Sequence, residues 1–509
     1  MRQLRWFTLG LLAVFSPAAG QKITPAQLAA WSHDVLPAAI AELDETLRIP
    51  NNALVPEDVA NTIAWTRTAF TKRGFRVEQL PTGGPPLLLA TREVKKPAAT
   101  VLFYLHLDGQ PVDSSKWQQA SPYIPVIKKY NGSEWLPVSP DELAQGYDDD
   151  WRIFARSSSD DTGPVVMFLQ AIDLIDAHKI KPNYNIKMIM DLEEEAGSRY
   201  LAPAVQQHAA KLRADYLVIF DGPRHITNRP TLSFGARGIA TITLTVFGPR
   251  VPLHSGHYGN YAPNPAARLA ALLASMKDDQ GRVTIPGYYD GITLTTADKA
   301  LLARVPDDEA LIKKQLGIAT ADQVGHSLQE ALQYPSLNIR GLSAGWVGAQ
   351  ARTIVPATAT AEIDIRLVPE SDGLRLLELV KKHIENQGYH IIAGDTPSEE
   401  ERATYDKLIA VHSEFGYPAF RTPVDSPIGH WLSAALQTAF DQEPVKIRIM
   451  GGSVPISPLV KTLGAPAVGV PVVNPDNNQH SPNENLRIGN LREGIMTFAA
   501  ILATPVKKK

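Results

Sequence analysis

Five short apolar runs set the strongest limit on how this chain can fold: Thr100–Leu105, Ile186–Met190, Tyr216–Phe220, Val445–Ile449 and Ala467–Val473. Each has the length and apolar content of a strand buried in a parallel or mixed sheet. Each also leads into a residue able to do chemistry: His106, Glu194 with Glu195, Asp221, Gly451 and His480. In open α/β sheets ligands gather outside the carboxyl ends of the strands, so groups far apart in sequence can meet there. Residues 25–48 and 57–73 carry helical apolar spacing, and the second stretch stops at Gly74, where a C-cap is expected. The layout is α/β, a central mixed sheet flanked by helices.

Between the catalytic-looking runs lies a segment with its own rhythm. Leu232 to Val246 alternates as a strand does, and Asn264-Pro265 opens a helix carrying Leu269, Leu272, Leu273 and Met276 at spacings of three and four. Thr360–Leu367 alternates again, and Ser371 opens a helix that stops at Gly388, before the apolar Tyr389–Ala393. Strand, helix, strand, helix, strand is a small α+β layer. At 509 residues the chain exceeds a single core. The expected division is a leader over 1–20, a catalytic domain over 21–228 and 398–509, and an inserted α+β domain over 229–397. The stretch 123–150, ending in Asp148-Asp149-Asp150, reads as a solvated surface excursion; its acids lack the glycine-spaced order of a known calcium loop.

Composition excludes some classes. With 44% hydrophobic and 20% charged residues the chain is neither disordered nor fibrous, and a net charge of −3 gives no footprint for nucleic acid. The absence of cysteine removes disulfides, thiol catalysis and a cysteine-linked lipid anchor. Arg2 and Arg5, the apolar Trp6–Phe15 and the small residues of Ser16-Pro-Ala-Ala-Gly20 have the order of a cleaved secretory signal. The alternative is an N-terminal anchoring or buried helix, although the apolar part is too short to span a bilayer. The expectation is an exported or periplasmic bacterial protein cut near Gln21, with no membrane anchor afterwards.

The chemistry lies in the turns after the runs. His106-Leu-Asp108 places a carboxylate where it can orient a metal-binding imidazole. Asp160-Asp161, two residues before Gly163, can bind a cation or cap a helix. In Asp191-Leu-Glu193-Glu194-Glu195, three successive glutamates at a strand end are costly to desolvate without a cation, unless the turn is solvated. Adjacent glutamates can divide the work, one binding a metal and the other taking a proton from water. Asp221 and His480 are ambiguous alone. Together the set offers two imidazoles and several carboxylates without sulfur, donors that suit zinc and also manganese or cobalt.

The ordered series His106-Leu-Asp108-Gly-Gln-Pro, Ser159-Asp160-Asp161-x-Gly163, Glu194-Glu195-x-Gly197-Ser198, Phe220-Asp221, His254-Ser-Gly256, Gly451-Gly452-Ser453-x-Pro455 and His480-Ser resembles the aminoacylase, carnosinase and glutamate-carboxypeptidase family of two-zinc metallopeptidases. The likeness spans the mature chain and is nearest the carnosinase-like dipeptidase branch. It implies a zinc-peptidase-like catalytic domain with an inserted lid and dimerisation domain. Two divalent ions, Zn2+ before Mn2+ or Co2+, would be bridged by Asp160, with His106 and Asp221 on one ion and Glu195 and His480 on the other. Asp108 would orient His106, Glu194 would be the general base, and the Asp160–Asp161 peptide bond would be cis. His254 would polarise the scissile carbonyl, often from the partner subunit of a homodimer, while Thr353, Arg366, Gly452 and Ser453 would contact the substrate. An arginine fork suits a free carboxylate on physical grounds as well.

The departures are Ala155, Arg156, Ser157 and Thr162 around the aspartate pair, where relatives carry Gly-Arg-Gly and Lys. Met450 stands where related dipeptidases tend to carry an acid. The expected function is amide hydrolysis of a dipeptide or short peptide with a free carboxylate. An N-acyl amino-acid amidohydrolase or a carboxypeptidase of the same family is the near alternative, and a metal-binding protein without catalysis the distant one. Gly341-Leu-Ser343-Ala-Gly345 also satisfies the nucleophile-elbow pattern of serine hydrolases. That elbow must lead into a helix, and Trp346–Pro356 has no helical stripe.

Overall fold

The computed structural model describes residues 23–453 and 455–507; the expected leader over 1–20 lies outside them. Eight strands form one mixed sheet in the order Arg76–Leu80, Leu87–Arg92, Asn185–Asp191, Thr100–His106, Tyr216–Ile219, Ala467–Gly469, Thr231–Ser233, Val445–Ile447. The four central strands are parallel, with His106 level with Asp191, and Ile219 level with both Tyr104 and Gly469. Their carboxyl ends therefore share one edge of the sheet, and the turns that follow carry Asp108, Glu194, Glu195 and Asp221 to that edge.

Both faces are covered, as the unbroken apolar runs require. Helices Pro25–Leu47, Thr162–Ala177, Pro427–Phe440 and Ile488–Ala503 pack on one face around Phe103, Phe168, Phe220 and Phe498. The Phe220 and Phe498 ring centroids lie 4.1 Å apart. Helices Leu201–Leu212 and Ser457–Leu463 cover the other face over Leu102, Tyr104 and Ile189. No helix among the described residues is long and apolar enough to cross a membrane.

A second sheet has the order Asn338–Ser343, Thr358–Leu367, Gly238–Phe247, Leu408–Tyr417, His390–Ile391. Gly238–Phe247 alternates buried and half-buried residues, and its buried side packs on helices Pro265–Ala274 and Gly373–Asn386. Asn264 caps the first, as the sequence puts it, through Ala266 N–H at 2.9 Å; the second begins one residue later than expected, with Asp372 rather than Ser371 as its cap. This sheet runs past the expected boundary at 397. Leu408–Tyr417 pairs with Ile239–Phe247, so that strand is held by the second sheet.

The stretch 123–150 also departs from expectation. Val126–Tyr130 and Trp135–Pro137 pair with each other, and with Arg152–Phe154 and Asn485–Arg487 they make a four-stranded sheet. Its terminal acids are held by arginines. Asp149 accepts from Arg492 at 2.6 and 3.1 Å, and Asp150 from Arg487 at 2.6 and 3.1 Å. Arg487 and Arg492 thus tie Asp150 and Asp149 to the last strand and the last helix, while Asp148 and Asp150 stay exposed to solvent as expected.

Candidate metal centre and its cavity

His106 ends its strand fully buried, with Nε2 2.9 Å from Asp160 Oδ1 and Nδ1 3.5 Å from Asp108 Oδ1. The Asp108 carboxylate does more than face that ring. It accepts from the backbone N–H groups of Glu194 and Glu195, each at 3.0 Å, and so fixes the acidic turn against the His106 strand. Within that turn the three glutamates separate. Glu193 pairs with Arg199 at 2.6 Å, whereas Glu194 and Glu195 face the other acids.

Asp160 stands at the centre. One oxygen meets His106, and the other lies 3.0 Å from His480 Nε2 and 3.2 Å from Gln479 Nε2. His480 Nε2 is also 3.2 Å from Glu195 Oε2, which accepts from Gln110 Nε2 at 2.8 Å. Two donor groups result, His106–Asp160–Asp221 and Asp160–Glu195–His480, each with its candidate ligand atoms within 4.8 Å of one another. The Asp160–Asp161 peptide bond is cis. The capping alternative for this pair is not used. Asp161 occupies the N-cap position of the Thr162–Ala177 helix without a side-chain capping bond, and its Oδ2 accepts from His106 N–H at 3.2 Å. Gly163 is needed just inside that helix, because a Cβ there would sit 2.1 Å from the Ser158 carbonyl oxygen.

The electrostatics fit divalent cations. Burial, reinforced by neighbouring carboxylates, pushes Glu195 up to about 7, Asp221 up to about 6 and Glu194 well above the usual carboxylate range. Burial pushes Asp160 the same way, but hydrogen bonds from His106 and His480 hold it below its ordinary value. Several acids crowded into a dry site oppose one another's ionisation, and bound dications would reverse that penalty. Nitrogen and oxygen donors without sulfur are those of zinc, manganese or cobalt.

A cavity of about 420 Å³ opens beside the acids. Asp160, Glu194, Asp221 and His480 line it on one side, and Met450, Gly452 and Ser453 on another. His254, Thr353 and Arg366 do not line it. His254 is exposed in a two-residue strand paired with Ile354–Val355, next to Thr353, whose carbonyl accepts from Ser255 N–H at 3.0 Å. Arg366 lies on the second sheet, with Nε 3.5 Å from Asp364 Oδ2. Tyr417, at the end of Leu408–Tyr417 in the same sheet, has its phenol pushed up to about 12 by burial, with Arg366 opposing the shift and Glu194 and Asp221 adding to it. Ser343 is exposed on an edge strand, and between it and residue 354 the chain makes one short helical turn, Gly348–Gln350. The nucleophile elbow is therefore not formed.

The sequence reading missed Glu484. Fully buried, it accepts from Arg156 Nη1 at 2.7 Å and from the backbone N–H groups of Ser157, Ser159 and Asp160 at 3.0, 2.9 and 3.0 Å. One carboxylate thus shapes the loop that presents Asp160; the only signal was an acid four positions after His480. Removing one partner of such a buried pair costs about 3–5 kcal/mol. Glu484→Ala is expected to lose stability on that scale in urea unfolding. An unfolding midpoint equal to wild type would contradict the assignment.

Two donor clusters sharing one aspartate, at the carboxyl edge of a covered α/β sheet, form an arrangement that metal-dependent hydrolases use. The sequence profile of peptidase family M20/M25/M40 matches residues 102–504, and the chain belongs to that family: it is a peptidase hydrolase. It is 27% identical over 487 residues to a human Beta-Ala-His dipeptidase, covering 91% of this chain and 89% of that protein. A Cys-Gly metallodipeptidase of Schizosaccharomyces pombe is 26% identical over 452 residues, covering 84% and 87%. An M20 family metallo-carboxypeptidase from Sulfolobus solfataricus superposes with a TM-score of 0.74 at 28% identity, covering 92% of this chain and 98% of that one.

Proposed function

We propose that the protein is a dinuclear-metal dipeptidase. It would cleave dipeptides or short peptides that carry a free C-terminal carboxylate. The observation that carries this reading is Asp160, shared between two donor clusters, with Glu194 on the cavity wall beside it and in neither cluster. His106 and Asp221 would hold one ion and Glu195 and His480 the other, with Asp160 common to both; the donors suit Zn2+ and also Mn2+ or Co2+. When bound, the two ions supply Lewis acidity toward the scissile carbonyl and lower the pKa of the attacking water.

The chain's own residues do the rest. Asp108 fixes the His106 ring and the glutamate turn together. Glu194 takes a proton from the water as its oxygen bonds to the carbonyl carbon. It then delivers that proton to the departing amine nitrogen as the C–N bond breaks, leaving a carboxylic acid and an amine, which between them settle as carboxylate and ammonium. Gly452 and Ser453 on the cavity wall would receive the substrate carboxylate, and Arg366, which stands outside the cavity on the second sheet, would reach it by a planar fork. Thr353 and His254, which stand outside the cavity beside the short Leu253–His254 and Ile354–Val355 pairing, would reach the substrate from the inserted domain acting as a lid. The exposure of His254 outside this chain's cavity supports its entering the site of a second copy in a homodimer. The leader sequence supports export. Light scattering of the purified protein, and the N-terminal residue of exported material, test these last two points.

The test of function is a hydrolysis screen of free dipeptides, N-blocked dipeptides and N-acyl amino acids, with and without added zinc or manganese. Free dipeptides are expected to be cleaved fastest, and only with metal present. If metal-loaded protein leaves every amide intact, the proposal fails.

A further inference from the structure

The cavity beside the acids is divided by chemistry. Its charged side chains, Asp160, Glu194, Asp221 and His480, all belong to the proposed catalytic edge, and no lysine or arginine lines it among the described residues. Away from that edge the wall is Ile219, Phe420, Ile447, Met450, Ile456 and Pro471. Three hydroxyls also line the cavity, but each already donates to a backbone carbonyl: Thr231 to Arg229 at 2.8 Å, Ser233 to Gly235 at 3.1 Å and Ser453 to Gly238 at 3.1 Å. Apart from the Gly452–Ser453 stretch assigned above to the substrate carboxylate, a charged side chain placed beyond the catalytic edge would find no counter-ion and no uncommitted hydroxyl donor, so its desolvation would go uncompensated. A branched aliphatic or aromatic group would instead meet apolar walls on several sides. The volume, about 420 Å³, is within the range of small-molecule sites.

We propose that this cavity is a side-chain subsite that selects substrates by an uncharged, large apolar residue next to the scissile bond, with Met450 as a specificity-determining residue in its wall. The proposal rests on the dipeptidase reading above and names the side chain which that reading leaves open. Met450 is suited to the role because its Cε would lie 3.9 Å from a Cβ placed on Gly222, across from the turn that carries Asp221. An unbranched thioether fills irregular apolar space and offers a charge nothing.

The experiment measures kcat/KM for zinc-loaded enzyme on two dipeptide series, Xaa-Gly and Gly-Xaa, with Xaa as Gly, Leu, Phe, Lys and Glu. One methylene in an apolar pocket discriminates by about 10–200-fold. In one of the two series Leu and Phe are therefore expected to exceed Gly by at least about tenfold, and Lys and Glu by more. Met450→Glu is expected to lower the Leu-to-Lys ratio in that same series by at least about tenfold, since it sets a carboxylate in the wall. A flat profile in both series overturns the proposal, as does an unchanged Leu-to-Lys ratio in the variant. Calorimetric binding of the same dipeptides to zinc-loaded Glu194→Gln protein gives the order of affinities without turnover. A lack of hydrolysis therefore counts against the dipeptidase reading alone, while Leu and Phe binding no tighter than Lys and Glu counts against the subsite.

Discussion

Glu194→Gln is expected to lower kcat by about 10²–10⁴-fold, the range that a positioned acid–base group contributes, while leaving bound metal unchanged. The amide keeps the shape of the side chain but cannot accept a proton. Glu194 is in neither donor cluster, so the ion content should not move. The turn itself should also stay in place, because Asp108 holds it through the backbone N–H groups of Glu194 and Glu195 rather than through side chains. Steady-state kinetics with metal analysis by plasma spectrometry reads both quantities. Unchanged turnover would remove Glu194 as the base, and loss of metal would make it a ligand.

Asp160→Asn is expected to have the larger effect. Asp160 is the one residue common to both donor groups, so neutralising it weakens both ion sites. The Lewis-acid contribution of such ions is several kcal/mol, and turnover should fall by about 10³-fold or more. Bound metal should fall below that of a variant altered in only one cluster, such as His480→Ala or Asp221→Ala. The fold should survive, since Asn retains a carbonyl oxygen for His106 and the loop is shaped by Glu484 through backbone groups. Metal content equal to that of the single-cluster variants, with circular dichroism unchanged, would show that Asp160 is not shared.

The sequence was most legible where one run of residues decides its own environment. The apolar runs ending at Leu105, Met190 and Phe220 had the length of buried strands, and the chemistry of the turns after them was readable once their ends were aligned. Pairing over long separations was less accessible. Val126–Tyr130 and Arg152–Phe154 are short and partly exposed, and their sheet is completed by Asn485–Arg487 from near the end of the chain. Leu408–Tyr417 is buried only over its first three residues, so its place beside Gly238–Phe247 left little pattern to read. Glu484 was hidden for another reason. Its partners are mainly backbone N–H groups more than three hundred positions away, and backbone donors leave no residue-type signal. The ion pairs of Asp149 and Asp150 were hidden because their arginine partners, Arg492 and Arg487, lie in the last helix and in the strand before it, more than three hundred positions away.

The measurement that bears most directly on the central claim is a metal titration of stripped protein. Chelator-treated, dialysed enzyme is assayed against a cleaved dipeptide while Zn2+ is added in known molar ratio to protein. The account predicts negligible hydrolysis before addition, and recovery that is complete only when a second equivalent per chain has bound. Full activity in the stripped protein, or recovery complete at one equivalent, would contradict a hydrolase built on two ions sharing Asp160.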